Sequence, residues 1–412
     1  MRQGVTTIPA TAARRALLEA QGLLDAPDRR ASPATLQRLV EQMGYVQIDT
    51  INVVERAHHL TLFSRLHEYE PRMLAHLLER KRSLWEHWTH DASAIPTMWY
   101  PHWKHRFERY RGRIQRHAWW RARLGHDPER TIAMVRERIE RDGPLQSRDF
   151  EHDHANHPLP EDGWWGWKPA KAALEHLWRG GELVITRRIN FQKVYDLTER
   201  AMSELHALPP TSAAEHVDWA CRSAMERLEI ATPGEIAAFW HAIDPPAARR
   251  WCEEALRRGE LIEVMVETAD AGKPRRAVAL SSREAALRRL SRRSDRDGLT
   301  DSGAMRMLSP FDPVLRDRKR CQRLFGFDYR FEAFTPGPKR RFGYYVMPLL
   351  QGEHLVGRID PKFHRDRGEL VVNRVWWERG IRPTKARTNA LSEALERLAG
   401  FIGADRVRIE RA

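Results

Sequence analysis

Apolar positions recur at helical spacing from a Ser32-Pro33 start to a Gly44-Tyr45 stop, and there the period changes. Val46-Gln47-Ile48-Asp49-Thr50-Ile51 alternates apolar and polar residues, which predicts a short extended segment. Side chains two apart in a strand share a face. Val46 and Ile48 then point into a core, and Gln47 and Asp49 stand side by side on the opposite face. On a helix the same two would lie about 200° apart and would not converge. An amide carbonyl beside a carboxylate can hold one water between two acceptors, the requirement for hydrolysing an already electrophilic substrate. By spacing alone, an isolated Q-x-D is more often a solvated sheet face, so its surroundings must decide.

Those surroundings repeat. Residues 170 to 188 (AKAALEHLWRGGELVITRR) and 247 to 266 (AARRWCEEALRRGELIEVMV) each read as a helix, a glycine stop, and Glu-Leu opening a β-branched strand. Residues 72 to 88 (RMLAHLLERKRSLWEHW) have the same shape without the glycines. Capped shorter helices precede them, opened by Ser32-Pro33, Ser147 and Thr232-Pro233-Gly234-Glu235. Helix, helix and strand hairpin is the order of a winged helix-turn-helix. Three copies predict an α+β chain with winged helices over 1–115, 116–205 and 206–282, the first carrying the Q-x-D strand. A charged linker helix follows over 283–304. From 305 to 412 the pattern predicts a small antiparallel β-barrel or sheet with a terminal helix. Its strands are expected at Phe327 to Phe334 and Phe342 to Leu350, around a Pro-Gly-Pro-Lys-Arg-Arg turn, then at Leu355 to Ile359 and Leu370 to Val375. Ala390, Leu391, Ala394, Leu395 and Leu398 form the apolar stripe of the closing helix at 384 to 402.

Composition narrows the function. A chain of 412 residues with 42% hydrophobic content and 15 Trp has material for several domains. No apolar run reaches the length of a membrane span, and MRQGVTTIPATAARR lacks a secretory core. A soluble, cytoplasmic protein is expected. The net charge of +14, from 70 Lys+Arg against 56 Asp+Glu, favours a polyanionic partner. Only ten of those cations are Lys; bidentate phosphate recognition and a GC-rich genome would both enrich Arg. Cys221, Cys252 and Cys321 give neither a disulfide framework nor a zinc spacing. His152-Asp153-His154 and His157 lie in a Pro-rich acidic stretch and read as loop rather than metal site. HExxH, Walker and GxGxxG motifs are absent. No metal and no cofactor are expected.

The chain resembles the YcaQ/AlkZ-type DNA glycosylases, which remove alkylated bases and unhook interstrand crosslinks. The likeness runs along GYVQIDTINVVERAHHLTLFSRL (44 to 66), LWEHWTHDASAIP (84 to 96), WWGWKPAKAALEHLWRGGELVITRRINFQKVYDLTER (164 to 200), LSPFDPVLRDRKRCQRLFGFDYRFEAF (308 to 334) and KRRFGYYVMPLLQGEHLVGRIDPK (339 to 362). The resemblance implies that Gln47 and Asp49 position the hydrolytic water, with Asp in the third place as in the YcaQ-like branch. It also implies an open cleft for lesions in duplex DNA. Phosphate contacts are expected first from Lys339, Arg340 and Arg341, where a solvated charged turn is the even alternative. Arg65, Lys168, Arg187, Arg188, Arg358 and Lys362 are further candidates. His58 and His59 are assigned no chemistry. The implied partner is double-stranded DNA with alkylated or crosslinked purines, met by a monomer. A non-enzymatic winged-helix DNA binder would share the charge and repeats but leave Gln47 and Asp49 without a role. A nuclease would want clustered carboxylates for a metal, and none stands out.

Overall fold

The computed structural model describes residues 6–28, 30–150, 169–292 and 303–410. The chain divides into two compact units, one of Met1–Met73 with Ala220–Ala412 and one of Leu74–Trp219. The fold is mixed α+β. No helix among the described residues is long and apolar enough to cross a membrane. The histidine stretch at 152 to 157, Lys168, and 293–302 of the expected linker lie outside the described residues.

The first unit holds two sheets. Four strands run in the order Thr6–Ile8, Leu261–Val266, Arg275–Leu280 and Ile230–Ala231. Thr6–Ile8 pairs in parallel with Leu261–Val266, and the other pairings are antiparallel. Of the helices feeding this sheet, the one opened by Thr232 starts where the sequence places it. Thr232 and Glu235 form a reciprocal capping box ahead of Pro233–Trp240, and the Asp244 carboxylate accepts the Ala247 N–H (2.8 Å) to open Pro245–Arg257. Ile8, Leu17, Leu18, Val264, Leu324 and Phe327 belong to one apolar core that joins this sheet to the C-terminal region.

The second sheet has five strands, in the order Met305–Met307, Met347–Gln351, His354–His364, Glu369–Trp377 and Arg406–Ile409. The first three pairings are antiparallel, but Arg406–Ile409 adds in parallel at the far edge, so the expected all-antiparallel pattern needs correcting. Helix Lys385–Ile402, capped by Thr384, buries Leu391, Ala394, Leu395 and Leu398 of the expected stripe and leaves Ala390 half-buried. Residues 327 to 334 form no strand. Their alternation is real in burial, with Phe327 and Tyr329 inside and Asp328 and Arg330 outside. The backbone joins no ladder there; instead the Tyr329 hydroxyl donates to the Val346 carbonyl (2.8 Å).

In the second unit, Leu84–Trp88 and Ala92–Pro96 form a hairpin. Leu145–Gln146, Gln192–Leu197 and Leu183–Ile189 form a separate three-stranded sheet. Asn190 and Phe191, both at positive φ, make the two-residue turn between its long strands, the geometry that matches strand twist. Helix Pro169–Arg179 packs Leu174, Leu177 and Trp178 into this unit's core with Val135 and Ile139 of helix Pro128–Asp142.

Candidate active site

The Q-x-D segment is set by a helix that starts and stops sharply. Ser32 Oγ accepts the Thr35 N–H (3.1 Å) and Pro33 occupies the first turn of Pro33–Met43. The helix ends at Gly44, at φ +94°, where a side chain would come within 2.9 Å of Arg227 and 3.0 Å of the Trp240 ring. Only glycine meets both conditions without displacing a neighbour. Tyr45 is then buried, its hydroxyl accepting from Arg316 Nη1 (2.8 Å).

Beyond it the strand is short, Val46–Gln47. Val46, Gln47 and Ile48 are all buried, Gln47 at 8% exposed, so burial does not alternate along the run as expected, and Asp49 is half-buried. The carboxylate of Asp49 turns back to accept the Ile51 N–H (2.8 Å), an Asx-type turn that ends the extended run. The loop that follows is fastened to the end of strand His354–His364. Phe363 N–H donates to the Val53 carbonyl (3.1 Å), and Arg365 reaches Asn52 Oδ1 (2.6 Å) and the Val54 carbonyl (2.8 Å). Arg56 closes the loop on itself through the Thr50 carbonyl (3.3 Å). Asp49 therefore sits on a tethered loop, not a free one.

The electrostatics around Asp49 are unusual for so basic a chain. Burial raises its pKa above the ordinary 3.8, against the N–H groups of Ile51 and Thr50, which lower it. Tyr345, wholly buried, is pushed up by burial and by the charges of Asp49 and Glu55. Burial and Glu55 likewise hold Tyr69 well above its usual range. Tyr69 and His59 share a hydrogen bond of 2.7 Å. Burial, with Arg56 nearby, lowers His59 to about 4, so the ring is neutral at physiological pH. It packs against His58, with ring centroids 4.1 Å apart. A further carboxylate, Asp360, is raised by burial while accepting from Asn373 Nδ2 (3.2 Å) and the Tyr345 N–H. Glu55, Tyr345 and Asp360 escaped the sequence reading; all three lie in the stretches carrying the family likeness, but no local pattern singles them out. Among the described residues no group of three or more His, Cys, Asp or Glu could hold a metal.

The expected DNA contacts divide by burial. Arg65 is fully buried, with Nη1 and Nη2 on the Asp312 carboxylate (2.7 and 3.1 Å) and Nε on the Gln21 carbonyl (2.7 Å). Arg358 is buried too, paired with Glu378 (2.6 and 2.9 Å) and sandwiched between the Phe327 and Phe342 rings. Arg65 sits in a core ion pair and Arg358 pairs with a partly exposed acid, but both guanidinium groups are themselves buried and have no surface to offer a phosphate; the sequence expectation is corrected for them. Arg188 is mostly buried, bidentate to Glu86 and lying over Phe191, and is withdrawn from solvent for the same reason. Arg187, Lys339, Arg341 and Lys362 are exposed, and Arg340 is half-buried.

A sheet-and-helix scaffold that holds a partly buried acid on a tethered loop, under a strongly positive overall charge, suits an enzyme acting on nucleic acid. The sequence model of the family described as "DNA glycosylase AlkZ-like" matches residues 40–401, and the chain belongs to that family. It is thus a DNA-binding hydrolase of N-glycosyl bonds, in the service of DNA repair. Among solved structures it is similar to the Streptomyces sahachiroi DNA glycosylase AlkZ, with a TM-score of 0.62 at 14% identity, covering 98% of this chain and 100% of that one.

Proposed function

We propose that this glycosylase excises cationic N7-alkylated purines from duplex DNA, and unhooks interstrand crosslinks formed through the same atom, using a water held between Gln47 and Asp49. N7-alkylation makes the purine a cation and a good leaving group, so no general acid is needed to protonate it. What remains is to stabilise an oxocarbenium-like sugar and deliver water to C1′. An ionised Asp49 does both, attracting the developing positive charge and accepting a proton as water attacks. The Gln47 carbonyl orients that water. The observation that carries the reading is Asp49 itself, half-buried on a loop fastened at Val53, Asn52 and Val54. Tethering of that kind limits the reorganisation a catalytic group must undergo.

In this reading the three helix–hairpin repeats are winged-helix modules, the five-stranded sheet with helix Lys385–Ile402 is the fourth domain, and the enzyme acts as a monomer without metal. The exposed cations Lys339, Arg341, Arg187 and Lys362, with the half-buried Arg340, supply phosphate contacts. Crosslinked purines cannot be swung fully out of the duplex, so the lesion is engaged in place. The test is release of N7-methylguanine and unhooking of an N7–N7 crosslinked duplex by the purified chain, in EDTA. Release that disappears in Asp49→Asn while duplex binding persists supports the assignment; full release by that variant removes it.

A further inference from the structure

Phe334 is 86% exposed, the most exposed large apolar side chain among the described residues. Burying such a ring is worth roughly 1.5–3 kcal/mol, so the chain by itself gives no reason to display it. Nor is it carried on a slack loop. The Glu332 carboxylate, almost fully buried, accepts the backbone N–H groups of Arg341 (3.0 Å), Phe342 (2.8 Å) and Gly343 (3.4 Å). Thr335 N–H donates to the Glu332 carbonyl (2.9 Å), and Arg340 Nε donates to the Thr335 carbonyl (2.8 Å). Pro336 and Pro338 stiffen the tip, and Phe331 meets the Phe334 ring edge-on at 6.1 Å. Burial would raise the Glu332 pKa, but the three N–H donors outweigh it and hold the carboxyl below its usual range. The clamp is therefore charged at neutral pH. The loop runs straight on to Tyr345, whose hydroxyl lies in the field of Asp49.

We propose that this loop is a wedge: Phe334 enters the base stack of duplex DNA from a groove while Lys339 and Arg341 hold the flanking phosphates. An aromatic at the tip of a preorganised loop, flanked by exposed cations, fits a polyanion with an apolar interior. That combination is how side chains part base steps and kink a duplex. A protein partner would gain the ring but would have to match the cations as well. For a lesion tied to both strands, parting the neighbouring step exposes C1′ without extruding the base. The inference rests on duplex DNA being the substrate, and not on Gln47 and Asp49 placing the water.

The experiment uses the full chain and a duplex carrying a tetrahydrofuran abasic analogue with 2-aminopurine in the step opposite, so no chemistry is needed. Wild type at saturation should raise 2-aminopurine fluorescence several-fold. Phe334→Ala should abolish most of that rise, and Phe334→Leu should keep part of it. The slope of log Kd against log salt should stay unchanged in Phe334→Ala but fall by about one in Lys339→Ala. Melting temperatures should match wild type, since the ring is exposed. A fluorescence rise in Phe334→Ala equal to wild type, or none in wild type at saturating duplex, overturns the wedge. Base release from methylated DNA by the Asp49 variant is read separately, so the two assignments fail independently.

Discussion

Asp49→Asn is the substitution that isolates charge from shape. Asp49 has two jobs on its loop: its carboxylate accepts the Ile51 N–H at 2.8 Å, and it supplies a negative charge. Asn keeps an oxygen that can accept the same bond, so the turn survives and only the charge goes. Removal of a positioned base lowers rate by about 10²–10⁴-fold, equivalent to ~2.7–5.5 kcal/mol of barrier. Single-turnover release of N7-methylguanine is the assay, run from about pH 4 to 9 on duplex held at saturation. Wild type should lose activity as pH falls into the range of the carboxylate, whose pKa burial has moved upward from 3.8; the variant should lose that acid limb. Stability gives an independent readout. A folded pKa raised above the unfolded one contributes stability that is fully present below 3.8 and is lost as pH rises through the folded value. At neutral pH the ionised Asp49 is thus a cost to the fold, and Asp49→Asn should melt at or above the wild-type temperature, the gap closing toward pH 3.8. A variant that releases base within threefold of wild type across the pH range refutes the role of Asp49 in moving water. A melting temperature several degrees lower shows instead that the loop has collapsed.

The other predictions concern the scaffold. Arg65→Met should destabilise the first unit by about 3–5 kcal/mol in denaturant titration, because it strands the buried Asp312 carboxylate. Arg65→Met with Asp312→Leu should recover only part of this, since Asp312 also accepts the Val314 N–H (3.1 Å) at the start of Pro313–Arg316; a single-variant loss below 1 kcal/mol contradicts the pairing. Glu332→Gln should accelerate amide hydrogen exchange at Arg341, Phe342 and Gly343 by about tenfold or more, as charge-assisted bonds worth ~1.5–3 kcal/mol become neutral ones. Unchanged exchange there means the carboxylate does not hold the loop.

How far the residues announce this arrangement depends on range in sequence. Local signals read through: the Ser32 and Thr232 caps, the apolar stripe of Lys385–Ile402, and the switch from helical to alternating period at Gly44. Each rests on contacts within a few residues. The Q-x-D run was legible as extended, but its early end was not, because Asp49 spends its carboxylate on the Ile51 N–H. Long-range pairing was invisible. Nothing near Arg65 in the chain points to Asp312, and nothing in the stretch at 358 points to Glu378 or to the two phenyl rings that enclose Arg358. A cation beside apolar residues reads the same whether it faces a phosphate or a buried acid. The parallel edge strands Thr6–Ile8 and Arg406–Ile409 were hidden for the same reason, each pairing with a strand far along the chain or across a helix.

Charge of both signs must act in one reaction, and Glu55 tests how they are divided. The net charge of +14 gathers a polyanion. Around Asp49, however, lies a second carboxylate, Glu55, whose charge is felt by both Tyr69 and Tyr345. Two acids beside buried phenols are a poor arrangement for binding phosphate but a good one for a sugar becoming positive at C1′. If Glu55 contributes to that local field without touching the water, Glu55→Gln should lower the single-turnover rate by about tenfold, ~1.4 kcal/mol, leaving duplex affinity unchanged or slightly improved. The loss should be smaller than for Asp49→Asn and should leave the acid limb of the pH profile in place. A cationic N7-methylguanine substrate and a neutral uracil-containing duplex, compared side by side, separate field from fold, since a structural defect would depress binding to both. An unaltered rate on the cationic lesion would show that Asp49 carries the local field alone.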